Sequence, residues 1–448
     1  MRVSSVSAFQ SIHVHLGVKR AIAATTAAAI LTAMSGCGGG TAEPGIPDAG
    51  PPPPGQIARS DKPRLTAGVP AEEINELTAN DAAFAFDLLG KAGGNDNFFM
   101  SPHSISIALA MTYGGAREET AKQMKDALHF DLAPERLHPT FGALDLALAA
   151  RNGKSVPSGQ AFELHVINSL WGQRDYVFLA PYLDLLAENY GAGLSLLDFV
   201  ADAEGSRQAI NGWVSDQTRT RIPELIPMGI IGAETVLVLT NAIYFAASWK
   251  DRFEPADTTD APFTKLDGSS ITAPLMHQVK EHRYAEGDGW QALELVYSGD
   301  DVSMLVVLPA TGTFEDIRSK LDALNLTGIV AGLRTRLVDV SLPRFRFSTQ
   351  LGVKPALQAL GMTDAFQGGI ADFSGMDGTR ALVIQDVIHE AFVAVDEKGT
   401  EAAAATAVIV GRTSAPERAT FKVDRPFLVL VRDNPTGAVL FLGQVMSP

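Results

Sequence analysis

The sequence predicts a mixed α/β fold with several sheets (α+β, multi-sheet), and three stretches carry that prediction. Glu73–Leu89 sets Ile74, Leu77, Phe84 and Leu88 at helical spacing, the pattern of an amphipathic helix. Val236–Phe245, VLVLTNAIYF, is a near-continuous apolar run, as in a strand covered on both faces. Phe421–Gln444 places two apolar runs around Asp433-Asn434-Pro435-Thr436-Gly437, a hairpin. With 448 residues and a hydrophobic content of 46%, the chain has ample material for one large core.

The beginning of the chain reads differently. Arg2, Lys19 and Arg20 precede the apolar stretch Ala21–Met34, which is short for a bilayer span and has the charge order of an export signal. It ends in Met34-Ser35-Gly36-Cys37, and Cys37 is the single cysteine of the chain. These four residues resemble a bacterial lipoprotein box, with Met34 where leucine is more usual. The resemblance implies cleavage after residue 36 and lipidation of Cys37, a membrane anchor of more than one acyl chain on the periplasmic or cell-surface side; the alternative is a non-lipidated secretory signal and a secreted protein. One cysteine excludes an internal disulfide framework and any CxxC site. Residues 37–71, rich in Gly and Pro with PPPP at Pro51–Pro54, read as a tether, and the folded domain as 72–448. A net charge of −15 argues against a nucleic-acid partner.

Within the domain, Asn97–Leu109 gives a short apolar strand and then a helix, with Ser101 as its cap and Pro102 at its first position. Helices follow at Glu119–Phe130, Ala180–Tyr190 and Ala203–Arg221, the last stopped by Ile222-Pro223. Strands are expected at Leu164–Trp171, Gln291–Tyr297, Val302–Leu308 and Leu337–Phe347, and a helix at Thr349–Leu360. The catalytic motifs GxSxG, GxGxxG and the Walker loop are absent from the sequence, and His389-Glu390 fails as HExxH because Val393 stands at the second histidine. The chain therefore reads as a non-enzyme.

The stretch His389–Arg418 starts like a buried strand and ends like a loop. Counted in twos, Thr400, Ala402, Ala404, Thr406, Val408 and Val410 are small or β-branched and uncharged, a face that a sheet could bury. The other parity carries Glu401. A loop has kept the pattern of a strand.

Asp396–Val408, DEKGTEAAAATAV, closely resembles the proximal hinge of the serpins, the protease inhibitors whose reactive loop inserts into their own sheet. The Phe-Phe-x-Ser-Pro-x-Ser-Ile order at Phe98–Ile105, the pair Asn241 and Trp249, and the C-terminal hairpin are similar to the same family. The resemblance runs from about Glu72 to Val445. It implies three β-sheets, about nine helices and an exposed reactive-centre loop. The hinge would comprise Glu397, Gly399, Thr400, Glu401, Ala402, Ala403, Ala404, Ala405 and Thr406. Ser101, Ser104, Asn241 and His389 would form the shutter, a polar cluster where the sheet parts, and Trp249 the breach at its top. The cleaved bond would be Thr413–Ser414, or Arg412–Thr413 one step earlier. Arg412 suits a trypsin-like protease, and Thr413 an elastase- or subtilisin-like one; cysteine proteases are a further class of target. The family implies a monomer with no cofactor. The alternative is a non-inhibitory serpin-fold surface protein that proteases merely cleave.

Overall fold

Two hydrogen-bonded sheets organise the chain in the computed structural model, which describes residues 52–66, 68–153, 162–400 and 418–448, all within the unit Ile46–Pro448. The strands are β1 (Gln56–Ala58), β2 (Phe98–Met100), β3 (Glu163–Gln173), β4 (Leu194–Leu197), β5 (Leu237–Ser248), β6 (Thr259–Thr264), β7 (Ser270–Gly287), β8 (Trp290–Val296), β9 (Val302–Pro309), β10 (Arg334–Pro343), β11 (Phe345–Gly352), β12 (Val387–Asp396), β13 (Gly399–Thr400), β14 (Arg418–Lys422), β15 (Phe427–Asp433) and β16 (Val439–Val445). The described residues hold ten α-helices: α1 (Ala71–Ala92), α2 (Pro102–Tyr113), α3 (Glu118–Ala127), α4 (Pro134–Ala149), α5 (Ala180–Tyr190), α6 (Ala203–Gln217), α7 (Phe314–Lys320), α8 (Ala323–Gly332), α9 (Lys354–Ala359) and α10 (Ser374–Asp377).

The first sheet has seven strands in the order β1-β4-β3-β5-β13-β12-β11, and the second has nine. Where three sheets were expected, two are continuous. The 18-residue β7 pairs with β6 at one end and β8 at the other, and with β10 between them. The main core fills the space between the sheets, where Phe99 stacks on Phe441 at 5.0 Å and Phe441 meets Phe245 of β5 at 5.7 Å. Helix α2 is buried within it over Pro102–Thr112, and its expected cap is present: the Ser104 N–H donates to Ser101 Oγ at 3.2 Å. A second core lies on the outer face of the first sheet, where Ile210 and Val214 of α6 cover Ile167, Trp171, Ala242 and Ile388.

Three expectations need correction. Leu337–Phe347 is two strands, β10 and β11, in different sheets. The chain crosses between them at Arg344, directly after Pro343, and the Arg344 N–H donates to Pro274 O. Thr349–Gly352 continues β11 rather than beginning a helix, which is confined to Lys354–Ala359. Residues 56–65, expected within the tether, are held on the domain. Gln56–Ala58 adds an edge strand to β4, and Ser60, Lys62, Arg64 and Leu65 bond to α4 and α5, so the backbone there has partners that a free linker lacks. The signal segment, Cys37 and 401–417 lie outside the described residues.

Candidate functional site

The site is the seam between β5 and β12. Over Val387–Ala391 the two strands pair directly and in parallel with Leu239–Ile243. Higher up, β13 stands between them: Gly399 and Thr400 pair with Ser248 and Ala247 of β5 on one side, and with Asp396 and Val395 of β12 on the other. The chain turns back from β12 through Glu397 and Lys398, held by Asp396 Oδ1, which accepts from the N–H groups of Lys398 (2.8 Å) and Gly399 (3.3 Å). Gly399 has φ +151°, and a Cβ there would come within 2.1 Å of Ala247 O. Only glycine permits so close an approach.

Trp249 fixes this turn from above. Its N–H donates to Lys398 O (2.8 Å), its indole Nε1–H to Asp396 O (2.9 Å), and its ring stacks on Tyr297 at 4.4 Å. Tyr297 in turn meets Thr400: the two hydroxyls are 2.8 Å apart and buried. Burial pushes the Tyr297 phenol far above its ordinary value, against a smaller opposing effect of the Thr400 hydrogen bond, so it stays protonated and either hydroxyl can donate. Glu397 is also buried. Arg344 Nε donates to it at 2.7 Å and Thr258 Oγ1 at 2.5 Å. Burial alone would raise the Glu397 carboxyl; these bonds outweigh it and hold the group below its usual range.

Below this turn, the four residues expected to form a shutter come together, each without solvent exposure. His389 Nε2 accepts from the Ser101 N–H at 3.0 Å, so its proton sits on Nδ1 and is donated to Asn241 Oδ1. Asn241 Nδ2 donates to Ser104 Oγ at 2.6 Å, and Asn168 Oδ1 accepts from the same amide. Desolvation holds His389 neutral, with its pKa lowered to about 3. The cluster joins β5 to β12 and both to the N-terminus of α2. A hydrogen-bonded network of this kind locks a seam while it is complete, and it can form again around a new partner.

The structure thus brings Ser101, Ser104, Asn241 and His389 together, and Trp249 to the hinge residues Glu397, Gly399 and Thr400. Glu401–Thr406, expected to continue the hinge, and Arg412, Thr413 and Ser414, expected at the reactive bond, lie outside the described residues. Asn168, Tyr297, Thr258 and Arg344 escaped the sequence reading; each is at least 53 positions from its partner, and no local pattern marks it. Among the described residues no group of His, Cys, Asp and Glu could hold a metal ion, and no helix is long and apolar enough to cross a membrane.

The family model for serpins (serine protease inhibitors) matches residues 79–448. An uncharacterized serpin-like protein of Thermococcus kodakarensis is 40% identical over 371 residues, 82% of this chain and 84% of that protein. Human antithrombin-III is 38% identical, covering 83% of this chain and 82% of its own length. Mouse leukocyte elastase inhibitor A is 37% identical over 84% of this chain and 100% of its own. Among solved structures, the thermophilic serpin tengpin in its native state superposes with a TM-score of 0.77 at 28% identity, covering 88% of this chain and 100% of tengpin.

Proposed function

Because the chain belongs to the serpin family, we propose that it is a suicide-substrate inhibitor of serine proteases. The protease cleaves the loop beyond Thr400, and the freed strand enters between β5 and β12 before the acyl-enzyme is hydrolysed. The observation that carries this reading is the register of β13. Extending its two pairings downward gives each following residue one partner on either wall: Thr406 meets Asn241 and His389, and Val408 meets Leu239 and Val387. Both of those pairs already face each other in the closed sheet. The walls need only separate, with no slip along the strands.

Side-chain parity agrees with that register. Ala402, Ala404, Thr406, Val408 and Val410 fall beside Phe245, Ile243, Asn241, Leu239 and Leu237, all buried, and paired residues share a face of the sheet. Ala405 falls beside Ala242, which packs with Ile210 and Val214 of α6, so the small side chain suits that face. Each new ladder hydrogen bond contributes roughly 1 kcal/mol. About ten rows of them, with burial of the valines, make the inserted form the more stable one, and the uncut form a kinetic trap.

Glu397 and Gly399 open the hinge, Thr413–Ser414 is the reactive bond with Arg412–Thr413 the neighbouring register, and the named elastase inhibitors among the relatives favour the former. Cys37 carries the lipid that holds the exported protein on a bacterial membrane. Incubation with a trypsin-like and an elastase-like protease is expected to give a covalent complex that survives denaturing electrophoresis. If every protease tested yields only cleaved protein and keeps full activity, the chain is a serpin-fold substrate rather than an inhibitor.

A further inference from the structure

Four residues form one row across the first sheet: Gln56 pairs with Leu196, Leu196 with Gly172, and Gly172 with Leu237. This row lies at the end of β5 opposite the hinge, where Gly399 pairs with Ser248. Since β1 runs antiparallel to β4, the chain before Gln56 leaves the domain from that pole. Its exit is pinned. Gly55, at φ +95°, packs where a Cβ would come within 2.4 Å of Leu196 O. Past β1, Ser60 Oγ donates to Asp184 at 2.5 Å, Lys62 bridges Asp184 (3.1 Å) and Glu188 (3.0 Å), and Arg64 pairs with Asp145 at 2.6 Å.

The register that carries the inhibitory reading brings Val410 to the same row, beside Leu237, with the reactive residues just beyond it. We infer that a protease captured by this protein comes to rest at the pole from which the tether leaves, so that the tether's length sets the room between domain and membrane for the trapped partner. The inference rests on the inhibitory reading and on lipidation of Cys37. The two chains emerge about 20 Å apart, four strand spacings of ~4.8 Å.

Eighteen residues, six of them proline, separate Cys37 from Gln56. Fully extended at ~3.1–3.4 Å per residue they reach about 60 Å, whereas a relaxed chain of that length averages about 24 Å. A protease domain of about 225 residues has a radius of gyration near ~17 Å and so a diameter of about 45 Å. Eighteen residues span that diameter only near full extension. A shorter tether would press the protease against the membrane before insertion is complete. Water would then hydrolyse the waiting acyl ester, which releases active protease and cleaved protein.

The test compares the lipidated protein in cell membranes, with and without Thr41–Gly50, against the same two chains carrying Cys37→Ser in solution. The ratio of covalent complex to cleaved product should drop several-fold for the shortened chain on membranes alone. An unchanged ratio there would overturn the inference. Absence of complex in the soluble pair would instead refute the inhibitory reading, and retention of Cys37→Ser in membranes would refute lipidation; either result removes this inference with it.

Discussion

Tyr297 and Thr400 share a hydrogen bond between two buried hydroxyls, which fastens the side chain of a residue whose backbone already pairs with Ala247 and Val395 in the sheet. On the inhibitory reading, the pairing of Gly399 and Thr400 with β5 and β12 is the first row of the inserted strand. Trp249, stacked on Tyr297, and Arg344, bonded to Glu397, hold the turn that delivers it. Insertion as proposed would then require only that β5 part from β12 below this row, where the two strands now pair directly.

Tyr297→Phe removes a contact present both before and after insertion, and leaves the Thr400 hydroxyl buried without its partner. The expected loss is about 1–2 kcal/mol, equal in the uncut and nicked proteins. Thermal melts of both forms check it: the two should fall together, with the gap between them unchanged. A loss confined to the uncut form would mean that the row breaks on insertion.

Thr400→Arg places a guanidinium where the Tyr297 hydroxyl now lies, and burying it unpaired costs several kcal/mol. The hinge should withdraw from the seam. Cleavage of the loop is expected to continue at its normal rate while the covalent complex disappears from denaturing gels. Undiminished complex formation would count against insertion as the source of inhibition.

Much of this site was legible in the sequence because its signal is local. The glycine at 399, the threonine at 400 that follows it into the sheet and the Ser101-Pro102 helix start are properties of neighbouring residues. The contacts that tie them together are not. Tyr297 reaches Thr400 from 103 positions away and Thr258 reaches Glu397 from 139, and a tyrosine or threonine in a strand carries no mark of such a partner. Strand β1 was invisible for another reason: its three residues follow four prolines and gain strand character only from the open edge of β4. The split at Arg344 was missed because β10 and β11 together read as one apolar strand, and only their different partners separate them.

Acid should weaken the closed sheet through His389. Burial lowers its pKa to about 3, below the ordinary value of about 6.5, so the unfolded chain binds the extra proton first as pH falls. Stability is therefore full above about pH 6.5 and declines toward pH 3, at up to ~1.4 kcal/mol per pH unit. His138 and His282, both lowered to about 4 by burial, add to the same slope. Urea midpoints of the parent and His389→Asn, measured across this range, should converge as pH falls, because the variant has already lost the group that titrates. Parallel curves would assign the acid sensitivity to the other histidines.

The most specific expectation concerns Thr406. In the closed sheet His389 donates to Asn241, and on the inhibitory reading the inserting strand would come between those two residues' backbones, since the extended register assigns Thr406 to both. The Thr406 hydroxyl can accept from His389 Nδ1–H and donate to Asn241 Oδ1, so one side chain replaces the bond it breaks. Thr406→Val keeps the shape and removes that capacity, leaving a buried donor and acceptor unpaired at about 1–3 kcal/mol each, and only after insertion. Uncut protein should melt as the parent does and be cleaved as fast, while the nicked form loses part of its extra stability and the yield of complex falls. Thr406→Ser should restore both. If nicked Thr406→Val melts like the nicked parent, Thr406 does not occupy the row between His389 and Asn241, and the register drawn from Gly399 and Thr400 does not extend through the seam.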